Sequence, residues 1–166
     1  MLGIVLFAIF WAFHVSSSSF GRSQWLVGSI LFAGLLIAAG KATFPKPPAD
    51  VKYLWEFAAA FVIVLSAIAS FFLDSLSAVI PSGGNAAITP FIVSVWLAVA
   101  AAGVLLTGIR TKMVAAQVAG IVWLVAALQI TSYAPLAPNA YLYMGILTGV
   151  SIFLMGALES KKRKLF

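Results

Sequence analysis

Long apolar runs, separated by short polar or proline-bearing breaks, set the pattern of this chain. A helix needs about 20 mostly apolar residues to cross the hydrocarbon layer of a bilayer. The runs predict six such helices, at about 1–20, 24–40, 54–73, 89–109, 114–133 and 140–158, followed by a short tail over 159–166. Charges, prolines or polar turns bound each of them. The first has the shortest apolar part, Leu2 to Val15, so Ser16 to Ser19 are expected to form its outer end. In a helix those hydroxyls can bond back to earlier carbonyls. No basic residue precedes that run, which therefore reads as a retained span rather than a cleaved secretory signal.

The breaks alternate in character. Lys41, Lys46 and Lys52 fall between the second and third runs, Arg110 and Lys112 between the fourth and fifth, and Lys161, Lys162, Arg163 and Lys164 in the tail. If the chain crosses six times, these nine of the ten basic residues share one side, and only Arg22 lies on the other. Loops rich in Lys and Arg stay cytoplasmic during insertion. The expected fold is thus all-α: a polytopic membrane bundle of six transmembrane helices in three successive hairpins, each closed outside, with both termini cytoplasmic. The membrane expected is the cytoplasmic membrane.

Composition supports the bilayer reading. Of 166 residues 63% are hydrophobic and 8% charged, against about a quarter charged in a soluble domain. The net charge of +6 is explained by topology, and nothing resembles a basic readout surface for nucleic acid. The absence of cysteine removes disulfides, thiolate metal sites, iron–sulfur clusters and a cysteine nucleophile. Trp25, Tyr53, Trp55, Tyr133, Tyr141 and Tyr143 fall near helix ends, where amphipathic rings prefer the headgroup region. Trp96 and Trp123 lie deeper and face lipid, a neighbouring helix or a partner.

Helices in lipid associate by close packing over small residues. Gly145 and Gly149 form a GxxxG step in the sixth helix, Ala116 and Gly120 an equivalent step in the fifth, and Ser94, Ala98 and Ala102 a stripe in the fourth. Either packing within the bundle or packing against another subunit would use them.

Few residues offer chemistry. Glu56 is the one carboxylate within a predicted span, and an intramembrane ionisable group invites a proton- or cation-handling role. It sits four residues after Lys52 near a helix start, which favours an interfacial ion pair. His14 is the only histidine. It lacks the companions a metal site needs, so it either bonds water and the serine run or completes a site shared with a partner. Asp74 and Arg22 fall on the same outer side and are expected to pair. Gln117 and Gln129, with Thr107, Thr131 and Thr148, are expected to bond across helices. Gln117 and Gln129 are about 120° apart around their helix, which argues against a polar conduit there. The Gly83–Gly84 pair lacks the lysine and strand of a phosphate loop, and the Pro45–Lys46–Pro47–Pro48 segment reads as a stiff linker. The basic tail should be drawn to anionic lipid.

These residues imply no catalytic set, cofactor or metal. The expectation is a non-catalytic integral membrane protein, an accessory or structural subunit of a larger membrane complex, for example of respiratory or oxidase type. Its partners would be the lipid bilayer and other integral membrane subunits. The alternative is a small-solute or ion channel or transporter.

Overall fold

A backbone inside hydrocarbon finds no water for its N–H and C=O groups, so it must satisfy them internally, and a helix does so within one segment. The structure, a computed structural model, describes residues 2–15, 23–43, 49–77, 85–132 and 138–163. Among them only 111–113 and 138–139 leave the α-helix, and none forms a strand. The helices are α1 (Leu2–Val15), α2 (Ser23–Thr43), α3 (Ala49–Ser77), α4 (Asn85–Arg110), α5 (Val114–Ser132) and α6 (Ala140–Arg163).

Four stretches are long and apolar enough to cross a membrane: Lys52–Phe72, Ile88–Arg110, Val114–Ser132 and Ala140–Leu158. Shorter apolar stretches, Gly3–Val15 and Trp25–Leu35, lie in α1 and α2. This is the make-up of a multi-pass membrane protein. The helices themselves run further than the apolar runs. α3 begins at Ala49 and includes Leu76, and α6 continues through Arg163, so most of the expected tail is helix. Apolarity marks what lipid covers, whereas helical bonding continues into water where Lys, Arg and Glu have good propensity. α4 begins at Asn85 and carries Pro90 inside it. A sequence reading stops at Thr89, because the residue before a proline is biased away from the α region. The Ser16–Ser19 end, the Pro45–Pro48 linker and Ser82 to Gly84 lie outside the described residues.

Contacts fix the direction of each helix. Trp55 reaches Thr107 and Trp96 reaches Ser66, so α3 and α4 are antiparallel. Ser94 reaches Ala127 while Gly120 abuts Leu105, so α4 and α5 are antiparallel. Trp123 with Ser151 and Gln129 with Tyr143 make α5 and α6 antiparallel. Gly3 meets Gly149 and Phe10 meets Gly145, which sets α1 against α6. Trp25 with Thr89 and Phe32 with Trp96 make α2 parallel to α4. One end of the bundle therefore collects the starts of α3 and α5 and the ends of α2, α4 and α6, while α1 runs in the direction of α3 and α5 but starts beside Gly149, partway along α6. Lys41, Lys52, Arg110, Lys112 and the 161–163 positions all belong to this basic end.

Packing does not follow the chain hairpins. The most extensive interfaces join α4 with α5, α1 with α6, and α2 with α3, whereas α1 touches α2 and α5 touches α6 far less. α4 is the central helix, in contact with α2, α3, α5 and α6. Its Val93, Trp96, Leu97, Ala101 and Thr107 are fully enclosed.

The α4–α5 corner is the tightest connection described. Met113 N–H donates to Gly108 O at 2.8 Å and Lys112 N–H to Ile109 O at 3.3 Å. These are the paired bonds of a Schellman cap, which needs a left-handed residue just past the helix. Lys112 fills that position with φ 56°, where glycine is the usual occupant.

Candidate functional site

Tryptophan has one polar atom, an indole N–H, and burying it without an acceptor is costly. Four of the five tryptophans solve this with a hydroxyl on another helix. Trp25 Nε1–H donates to Thr89 Oγ1 at 3.1 Å, Trp55 to Thr107 Oγ1 at 3.0 Å, Trp96 to Ser66 Oγ at 2.8 Å and Trp123 to Ser151 Oγ at 3.1 Å. Glycines make room for two of these rings. A methyl on Gly28 would come within 2.9 Å of the Trp96 ring, and one on Gly103 within 3.2 Å of the Trp55 ring. The two deep tryptophans thus face neighbouring helices. Trp25 and Tyr141 lie near helix ends, as the spacing suggested, and their rings are buried within the bundle.

Around Trp96 the rings of Phe10, Phe13, Phe32 and Tyr141 form a continuous aromatic cluster across α1, α2, α4 and α6. Tyr141 carries a buried hydroxyl with no hydrogen-bond partner. A void of about 10 Å³ lies between α2, α3 and α4, lined by residues such as Phe32, Ala58 and Val62. That is the space of about one water, in apolar surroundings that would keep it dry.

Among the described residues the ionisable candidates do not converge. Lys52 Nζ lies 3.8 Å from Glu56 Oε1, with both side chains more than half exposed, at the basic end. This is the i, i+4 pair the spacing suggested, and an exposed pair of this kind contributes about 0–1 kcal/mol. His14 lies in the last described turn of α1, half-buried, its ring 6.3 Å from that of Trp11. α1 runs away from the basic end, so His14 and Glu56 sit at opposite ends of the bundle. Arg22 and the side chain of Asp74 lie outside the described residues. Among the described residues no three His, Cys, Asp or Glu side chains group as metal ligands would.

The remaining polar residues mostly serve helix contacts. Ser94 Oγ donates to Ala127 O at 2.6 Å, and Gln117 Nε2 donates to Gly108 O at 3.1 Å. Tyr143 donates to Gln129 Oε1 at 2.8 Å. Thr131 and Thr148 bond back to carbonyls of their own helices rather than across, and Thr107 does so while also accepting from Trp55.

Of the small residues singled out by spacing, Gly145 packs on Phe10, Gly149 on Gly3, Gly120 on the Leu105 backbone, and Ala116 against Gly108. Ala98 is half-buried, and Ala102 faces outward, so the α4 stripe is only partly an interface within the chain. Ser66 and Ser151 escaped the sequence reading. The one available signal was a hydroxyl near mid-helix in a chain with two mid-helix tryptophans, and that pattern does not say which hydroxyl meets which ring.

A larger concavity lies at the α1–α6 crossing. It is an almost wholly apolar groove of about 440 Å³ between α1 and α6, lined by Gly3, Ile4, Phe7, Ile146, Gly149, Val150 and Phe153. No known family model, curated protein or solved structure matches this chain.

Proposed function

We propose that this chain is a non-catalytic subunit of a larger membrane complex, crossing the cytoplasmic membrane six times with its basic end in the cytoplasm. The observation that carries this reading is α3. Only 17% of its membrane-spanning window is buried, against 61% for α4. Phe57, Phe61, Val64, Ile68, Phe71 and Phe72 form its exposed outer side. Lipid alone can cover such a stripe, but phenylalanine is a rich contact residue for another helix. The reading is further supported by where the polar groups are spent: tryptophan N–H groups and helix hydroxyls bond within and between helices, and the ion pair stays at one end.

The channel or transporter alternative draws less support, because Phe10, Phe32, Trp96, Trp123 and Met144 fill the middle of the bundle. It predicts liposome flux that Glu56→Gln or His14→Ala alters, whereas the subunit reading predicts no flux.

Photo-crosslinking tests the subunit reading. A benzoylphenylalanine at Phe61 or Phe72 should yield one stoichiometric protein adduct in the native membrane, and the same complex should co-migrate in mild detergent. The same probe at Val118 or Val125, exposed positions of α5, serves as the comparison. A chain that migrates alone and gives only lipid adducts from α3 contradicts the proposal.

A further inference from the structure

The α2–α3 pair joins the rest of the bundle chiefly along α4. Three tryptophan N–H bonds cross that seam: Trp25 to Thr89, Trp96 to Ser66 and Trp55 to Thr107. Thr89 and Thr107 are eighteen residues apart on α4. That is five full turns, so they share one line along the helix, and Trp96 stands about 20° from it. The three bonds therefore form one row of about 27 Å, close to the roughly 30 Å of a hydrocarbon layer.

The two halves of this row differ. Trp25, Phe32 and Trp96 are wholly enclosed. Between Trp96 and Trp55 lies the void of about 10 Å³, edged by Ala33, Ala58, Ala59 and Ala100. Such small side chains supply few dispersion contacts, and Trp55, Ala59 and Val99 beside the void are only half-buried. The two bonds also differ in what their loss would strand. Thr107 Oγ1 donates to Gly103 O at 2.7 Å, so its own hydrogen stays bonded without Trp55. Trp55 stands three residues from Lys52, where the α3 span begins, and an indole N–H at that depth reaches headgroup acceptors. The Trp96–Ser66 bond is wholly buried and deeper in the span, where a freed N–H would find no acceptor.

We infer that the α2–α3 pair is a hinged arm that pivots at Trp96–Ser66 and parts from α4 at the basic end, with Trp55–Thr107 as its latch. Opening widens the void into a lateral cleft between α3 and α4 that faces lipid. The inference rests on bilayer embedding alone and is independent of the subunit reading.

The test measures distances between pairs of spin labels by pulsed electron paramagnetic resonance, on the full chain in lipid nanodiscs. The chain has no cysteine of its own, so paired cysteines carry the labels. In the register set by Trp55–Thr107 and Ser66–Trp96, Tyr53 lies level with Ile109 and Phe71 with Phe91. All four are exposed positions. The Tyr53–Ile109 pair, at the basic end, should show a second, longer distance, and the Phe71–Phe91 pair a single one. Thr107→Val removes the latch acceptor and should raise the ratio of long to short distance at the basic end about threefold, the effect of losing one average hydroxyl bond between membrane helices. Thr107→Ser keeps the hydroxyl and should restore the original ratio. Thr131→Val, which removes a hydroxyl bonded within α5, should change neither pair. Circular dichroism of each variant checks that the helices remain. A single distance for Tyr53–Ile109 in both the unmodified chain and Thr107→Val overturns the inference. A second distance of equal weight at both pairs overturns the pivot, since the arm would then part from α4 along its whole length. If Thr107→Val does not fold, the two pairs in the unmodified chain decide between these outcomes.

Discussion

Trp96 concentrates the residue-scale logic of this protein. Its ring is fully enclosed, stacked with Phe32 and slotted over Gly28, and its one polar atom meets Ser66. Hydroxyl bonds between helices in membranes average about 0.6 kcal/mol and reach about 1.7. A double-mutant cycle of Trp96→Phe and Ser66→Ala should therefore return a coupling of about that size, read from reversible unfolding in detergent. A coupling indistinguishable from zero would contradict the bond. Tyr141 is the converse case. Its buried hydroxyl finds no partner, so Tyr141→Phe should stabilise the fold by about 1 kcal/mol. A clear loss of stability in the same assay would mean that the hydroxyl is satisfied after all. Ionisable residues drew notice in the sequence because charge is scarce in a bilayer. The residues that lock the helices did not, because serine and threonine are ordinary in such segments and their partners lie 28 to 64 positions away.

At the scale of elements, the existence of the helices was readable and their neighbours were not. Apolar runs near twenty residues leave the backbone few alternatives to a helix. Which helices touch depends on where glycines permit close approach, and Gly3, Gly28, Gly103 and Gly108 are unremarkable in a chain with 13 glycines. The α4–α5 interface shows the consequence. A methyl on Gly120 would meet the Leu105 backbone at 2.8 Å, and helix backbones yield little. Gly120→Val should destabilise by about 1–3 kcal/mol, as overpacking does. Gly156→Ala, where nothing lies within 4 Å, should stabilise slightly through helix propensity, by about 0.5–1 kcal/mol. Thermal midpoints of the two variants should move in opposite directions, and a common direction would contradict this packing. The corner after α4 makes a separate prediction. Lys112 holds a left-handed φ that disfavours any side chain by about 1–2 kcal/mol. Lys112→Gly should therefore raise the thermal midpoint. A fall in the midpoint would show that the lysine side chain contributes more than its strain removes.

For the whole molecule, the alternating direction of the six helices and the distribution of charge agree. The pairs Trp55–Thr107 and Gly120–Leu105 place Lys52, Arg110 and Lys112 at one end, the arrangement that insertion favours when that end stays in the cytoplasm. The proposal is that the chain crosses the bilayer six times, with the basic end inside. The absence of native cysteine makes one measurement direct: labelling single-cysteine variants in intact cells with a membrane-impermeant maleimide. Cysteines at Ser23 and Pro138 should react from outside, and those at Ala49 and Lys112 only after the membrane is opened. Finding Ser23 with Ala49, or Lys112 with Pro138, accessible from the same side would contradict the six-crossing account.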